Sequence, residues 1–275
     1  MKDRAAKLYF LAPLWLFFFF VLPLFYVLIL SFLSKGTYGG IEWSLSFRAF
    51  EKTLNIQYAE ILFRTVFMAL VTATICTILG ALCAWYIVNS KPKFQNYILL
   101  LFILPFLLNS LIRLYALQSF VGVSGPVQGF ISFFKTGYSS LMWTHNTLIM
   151  YLGLILTYLP FAILPLTAAF EKWESQYLEA AQDLGAGFFQ SFFQIVLPLL
   201  KPSLVTAFII VFIPTLGEYL VPEILGGSKK LYWGQLIAEA YLKWRDWPIG
   251  SVFGLVLIFI ILFLFSIQLR KRVKI

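Results

Sequence analysis

An all-α integral membrane protein with six transmembrane helices is the fold class this sequence predicts, from three observations. Of its residues 61% are hydrophobic and only 12% charged, where a soluble domain carries about a quarter. Its 30 Phe, 14 Tyr and 8 Trp present more aromatic surface than one soluble core of that size can hide. Finally, the apolar residues fall into runs long enough to cross a bilayer, which takes about 20 residues.

Charge-free runs cover residues 8–33, 65–90, 147–170 and 249–269, and two further runs hold one ionisable residue each, Arg113 in 97–120 and Glu218 in 202–222. The spans are therefore placed at 8–33, 61–88, 97–120, 146–170, 202–222 and 249–269, within a single domain over residues 1–275. Lys2, Arg4 and Lys7 precede the first run, as in a secretory signal. A signal's apolar region is only about 7–15 residues and ends in a small-residue cleavage site, which this run lacks. It reads as the first span. Pro13, Pro23, Pro105, Pro160, Pro165 and Pro214 fall inside spans, where neighbouring groups can satisfy the freed carbonyls.

Lys and Arg placement predicts orientation. With both termini inside, the inner segments (1–7, 89–96, 171–201, 270–275) hold 11 Lys and Arg in 52 residues, against 8 in 79 for the outer segments. Both termini and the 171–201 segment are expected in the cytoplasm. The net charge of +9 is explained by these topogenic and headgroup-facing residues, so no nucleic-acid partner is expected. Cys76 and Cys83 read as small buried residues rather than a disulfide or metal pattern. Among the outer loops, 121–134 reads as a turn and a short interfacial helix. Residues 228–247, with Trp233, Tyr241, Trp244 and Trp247, suit the membrane–water boundary or a docking soluble partner.

The segment between spans four and five reads as a short helix. Ser175 is its expected N-cap. Tyr177, Ala181 and Leu184 form an apolar stripe, with Glu179 and Asp183 on another face. Gly185 stands where a left-handed cap would end it. A second stretch, 188–196, leads through Pro198 and Pro202 into span five.

In order, Glu179-Ala180-Ala181, Gly185, Ile195, Leu197 and Pro198 resemble the EAA signature, EAA-x3-G-x9-I-x-LP, of bacterial binding-protein-dependent ABC-transporter permeases. The resemblance implies a type I ABC importer permease fold with a cytoplasmic coupling helix, in which Glu179, Ala180, Ala181, Asp183 and Gly185 contact an ATPase subunit. No G-x4-G-K-[ST] phosphate loop is present, so this chain is expected to hold no ATP, and ATP and magnesium belong to the partner ATPase. Nucleophilic triads and metal clusters are missing too, and His145 reads as an ordinary polar residue at the start of span four.

The stretch from Pro105 through Asn109, Arg113 and Tyr115 to Ala116, together with Leu225-Gly226-Gly227 and Arg245-Asp246-Trp247-Pro248, resembles spermidine/putrescine permeases of the PotB type. That family implies a second homologous permease, two ATP-binding subunits, an extracytoplasmic polyamine-binding protein and the bacterial cytoplasmic membrane. Related permeases for iron or sulfate share part of the pattern. An ion-gradient transporter would need a series of intramembrane acids and an inverted repeat, and would leave the EAA segment unexplained. A polycation needs carboxylates and aromatic faces. Glu218, Tyr219 and Glu223 supply them, with Asn109 and Tyr115 as further pathway candidates. The alternative for Glu218 is a salt bridge to Arg113 or Arg64. Trp85, Tyr86 and Tyr158 either line the route or fill the core.

Overall fold

The computed structural model describes residues 13–122, 125–127, 129–130, 146–172, 181, 183, 185–227 and 230–272. Five helices are long and apolar enough to cross a membrane, and a bent pair brings the number to six when counted as one span. The long helices are α1 (Pro13–Ser31), α3 (Ile56–Val88), α6 (Thr147–Glu171), a helix through Phe193–Leu216, and α9, which begins at Trp247. The bent pair is α4 (Pro92–Leu107) and α5 (Ser110–Val121), at 93° to one another. The expected third span is thus two helices. Pro105 cannot donate to the helical ladder, Leu108 is extended, and Asn109 starts a new helix by accepting from the Leu111 amide.

Span five also departs from the expected 202–222. Helix begins at Phe188–Ser191, passes through a π segment at Phe192–Val196 and continues as α7 (Leu197–Leu216), with Pro202 inside it. It stops at Gly217, and a π turn, Pro222–Gly226, follows. Glu218 therefore sits beyond the helix rather than within it. The apolar composition runs on past the point where the backbone breaks.

Two compact units divide the chain: Met1–Phe63 with Tyr232–Ile275, and Arg64–Leu231. In the first, α1 packs against α9 (Trp247–Arg272) and α8 (Trp233–Leu242) also packs on α9. Trp233 is 2% exposed, its ring edge-on to Phe253 and its indole N–H donating to the Phe253 carbonyl at 2.9 Å. This corrects the interfacial reading for Trp233, because a long-range contact supplies the polar partner its N–H needs. Trp244 and Trp247 stay exposed. An antiparallel hairpin, β1 (Leu33–Lys35) with β2 (Ile41–Leu45), follows α1, and the short helix α2 (Arg48–Thr53) follows the hairpin.

In the second unit α6 and α7 form the most extensive helix pair. Ala69, Ala73, Cys76, Gly80 and Ala84 line one stripe of α3, all buried. A Cβ added at Gly80 would lie 2.9 Å from that of Ala162. Small residues let membrane helices approach where lipid gives no hydrophobic drive between them. Cys76 and Cys83 are free. Of the 121–134 loop, Val121 still belongs to α5, and residues 126, 127, 129 and 130 are helical.

Candidate functional site

Two groups of residues carry the functional expectations. The first is the EAA segment. Ser175, Tyr177, Glu179, Ala180 and Leu184 lie outside the described residues. Ala181 is helical and buried, Asp183 helical and exposed. Gly185 has φ of +85°, and the Ala186 amide donates to the Ala181 carbonyl at 3.0 Å. That six-to-one bond around a left-handed residue is a Schellman cap, so the helix ends where the spacing placed its end. Among the described residues nothing lies within 4 Å of a Cβ added at Gly185. The demand for glycine is therefore conformational, not steric crowding.

The second group surrounds the break after α7. Pro214 is inside the last turn, and Gly217 closes it by donating to the Pro214 carbonyl at 3.2 Å. Glu218 follows. Its Oε1 accepts from the Leu220 amide at 2.9 Å and the Val221 amide at 3.4 Å, and its Oε2 accepts the Tyr158 hydroxyl at 2.6 Å. A carboxylate two and three residues ahead of free amides acts as a cap for the turn that starts there. The expected alternative, an ion pair with Arg113 or Arg64, is corrected. Among the described residues the partners of Glu218 are a tyrosine and main-chain amides.

Three elements converge beside this break. A Cβ added at Gly153 of α6 would clash with Leu225 Cδ1 and meet Val221 Cγ1 at 3.1 Å and Leu114 Cδ2 of α5 at 3.7 Å. Gln118 of α5 reaches the same turn by donating to the Ile224 carbonyl at 3.4 Å. The absence of a side chain at Gly153 is what lets α6, α5 and the π turn meet. Tyr219, Glu223 and Tyr115 are exposed. Asn109 is committed to capping α5. Tyr158 is buried, Trp85 packs edge-on to Phe170, and Tyr86 is exposed.

Arg113 lies one turn into α5, its guanidinium carbon 5.7 Å from the centre of the Phe106 ring and its buried Nε without a hydrogen-bond partner among the described residues. It lines an open cavity of about 530 Å³ bordered by the bent pair and α6, otherwise lined almost wholly by apolar side chains such as Leu101, Phe102, Leu108 and Leu156.

Sequence reasoning quoted Asp246 only as part of a resemblance and assigned it no structural role. Its Oδ1 accepts from the Ile249 amide at 3.3 Å, capping α9, while its Oδ2 pairs with Lys35 at 3.7 Å and its backbone bridges to Gly40. The local signal was there: an acid just ahead of a proline-started apolar run. Tyr158 was named, but its link to Glu218 spans 60 residues and leaves no trace in local spacing.

The family described as "Binding-protein-dependent transport system inner membrane component" matches residues 77–273. The spermidine/putrescine transport system permease protein PotB of Haemophilus influenzae is 33% identical over 258 residues, 94% of this chain and 90% of that protein. PotB of Escherichia coli is 32% identical over 245 residues, 88% of each. Among solved structures, a bacterial ABC transporter that imports the acidic polysaccharide alginate has a chain with a TM-score of 0.73 at 17% identity, covering 98% of this chain and 96% of that one. The fold is that of an ABC importer permease.

Proposed function

Because the chain belongs to the binding-protein-dependent transport system inner membrane component family, we propose that it is the multi-pass permease subunit of an ATP-driven importer of spermidine and putrescine. What carries the substrate class is the likeness to PotB proteins along nearly the whole chain. The Schellman cap at Gly185 supports the coupling role, since a helix with a defined end transmits a push better than a frayed one.

In this reading a second homologous permease completes the pathway, and two ATP-binding subunits holding ATP and magnesium dock on Glu179, Ala180, Ala181, Asp183 and Gly185. A polyamine-binding protein delivers substrate from the other side. The positive-inside bias supports cytoplasmic termini and a cytoplasmic 171–201 segment. Glu218, Tyr219 and Glu223, together with Tyr115 and Asn109, are the proposed contacts of the cation. The bond from Tyr158 positions the Glu218 carboxylate, and three donors leave part of its roughly four lone-pair sites to an ammonium group.

The test uses the reconstituted importer with its ATPase and binding protein. Spermidine and putrescine should be taken up and stimulate ATP hydrolysis, and sulfate should do neither; the opposite pattern overturns the substrate reading. Gly185→Val should abolish uptake and stimulated hydrolysis while the subunit stays inserted, and Gly185→Asn should retain part of both, because Asn tolerates the left-handed region. Normal coupling in Gly185→Val would remove the coupling role. With Cys76 and Cys83 replaced by Ser, a cysteine at Gln176 should label from the cytoplasm only and one at Ser228 from outside only.

A further inference from the structure

We propose that the pocket at the foot of the hairpin binds the phosphate of an anionic phospholipid headgroup. The pocket, about 260 Å³, is lined by Ser34 and Lys35 of β1, Ser46, Arg48 and Lys52 of α2, and Asp246 with the first turn of α9. Lys35 is held by Asp246. Arg48 and Lys52 have no carboxylate partner among the described residues, and Glu51, the acid on their own helix, does not line the pocket. They stand four apart on α2 and so share a face, where like charges repel. An anion between them relieves that repulsion, and the planar fork of an arginine matches phosphate oxygens in pairs. The Ser46 oxygen accepts the Arg48 amide at 3.3 Å, which leaves its hydroxyl proton free to donate inward.

Position and surroundings select a lipid over a dissolved ion. One wall begins two residues past the end of α1 and another is the first turn of α9, so the pocket lies where two spans leave the bilayer, at the depth of headgroup phosphates. Ile41, Trp43 and Leu45 alternate along β2 and so share one face. Trp43 is 77% and Leu45 85% exposed. Phe47, Leu54 and Ile56 on either side of α2 are exposed too. Such a ring of aromatic and aliphatic side chains around a basic pocket suits the headgroup–acyl boundary, whereas free phosphate would gain nothing from it.

The test places the assembled importer in nanodiscs containing phosphatidylcholine with a minority of phosphatidylglycerol, and counts retained lipid by native mass spectrometry. Wild type should enrich phosphatidylglycerol. Retention should fall about five-fold for each charge removed in Arg48→Gln and Lys52→Gln, and return in the Arg48→Lys/Lys52→Arg exchange. Thermal unfolding of each variant shows that the fold persists. Unchanged retention in the double Gln variant overturns the proposal. Displacement of the lipid by millimolar inorganic phosphate assigns the pocket to a free anion and overturns it too. So does loss of binding-protein affinity in the single Gln variants with phosphatidylglycerol retention intact, since the pocket would then serve the binding protein.

Discussion

Glu218 and Arg113 are each the single ionisable residue of a long apolar run, and both stand beside a break in a helix, yet the chain treats them differently. Glu218 follows the end of α7 and receives three hydrogen bonds, from the Tyr158 hydroxyl and the Leu220 and Val221 amides. Arg113 sits inside α5 with its Nε unpartnered, an aromatic face nearby and a mostly apolar cavity in front of it. The acid doubles as a structural cap, so its charge is built into the break. The arginine follows a break that is capped by something else, Asn109, and contributes little to it. A charge in a membrane protein that is integrated in this way costs stability when removed, and one that is not should cost little or nothing.

The largest expected effect is therefore at Glu218. Glu218→Ala removes the acceptor of one charge-assisted bond and two amides, and should destabilise the detergent-solubilised subunit by about 3 kcal/mol, read as a lower unfolding midpoint and weak assembly. Glu218→Gln separates cap from charge. Its amide oxygen can still accept the Leu220 amide and its NH2 can donate to the Tyr158 oxygen, so assembly should hold within about 1 kcal/mol while polyamine uptake falls. Equal stability in the Ala and Gln variants would break the capping account. Normal uptake in Glu218→Gln would take this residue out of the substrate path.

Tyr158→Phe tests the same bond from the donor side. It leaves the two amides on Glu218 and adds no volume, so the loss should be about 1.5 kcal/mol. Because Tyr158 and Glu218 share one contact, the double variant with Glu218→Ala should cost less than the two single losses added together. Strict additivity would mean that the 2.6 Å contact does not hold in the working protein.

What the sequence made legible follows from how local each feature is. Hydropathy located every membrane-length run, and the left-handed cap at Gly185 was readable because one residue type at one spacing serves it. The bend at Asn109 was not read, although Pro105 and the Asn109-Ser110 pair mark it, because averaging over an apolar run hides a two-residue break. The hairpin at 33–45 went unread as well. Gly39 and Gly40, both with positive φ, stand in its turn, and Ile41, Trp43 and Leu45 alternate, but five alternating residues beside a long apolar run do not register in a search for membrane-length segments. The Tyr158 hydroxyl on Glu218 and the Phe253 carbonyl on Trp233 come from 60 and 20 residues away, and no local pattern encodes them.

A smaller effect belongs to the bend itself. Asn109→Ala deletes the side chain that accepts the Leu111 amide at 2.9 Å, and losing an N-cap of this kind costs about 1 kcal/mol. Asn109→Asp keeps the acceptor and should recover most of that loss. If Ala and Asp behave alike, the bend is held by Pro105 and by packing on α6 rather than by the cap.

The smallest effect should be at Arg113, and it is the sharpest test of the contrast. The side chain's known gains in this chain are a contact with the Phe106 ring, worth about 1 kcal/mol, and the packing of its aliphatic stem. Against them stands an intramembrane guanidinium whose Nε has no acceptor among the described residues, a penalty of similar size or larger. Arg113→Leu keeps the stem's apolar bulk against the cavity wall and removes both the ring contact and the penalty. The solubilised subunit should then unfold within about 0.5 kcal/mol of wild type or be slightly more stable. The comparison with Glu218→Ala is made in the same detergent and by the same midpoint, so that shared effects cancel. A loss at Arg113→Leu as large as the loss at Glu218→Ala would mean that the two charges are integrated alike, and the distinction between them would fall.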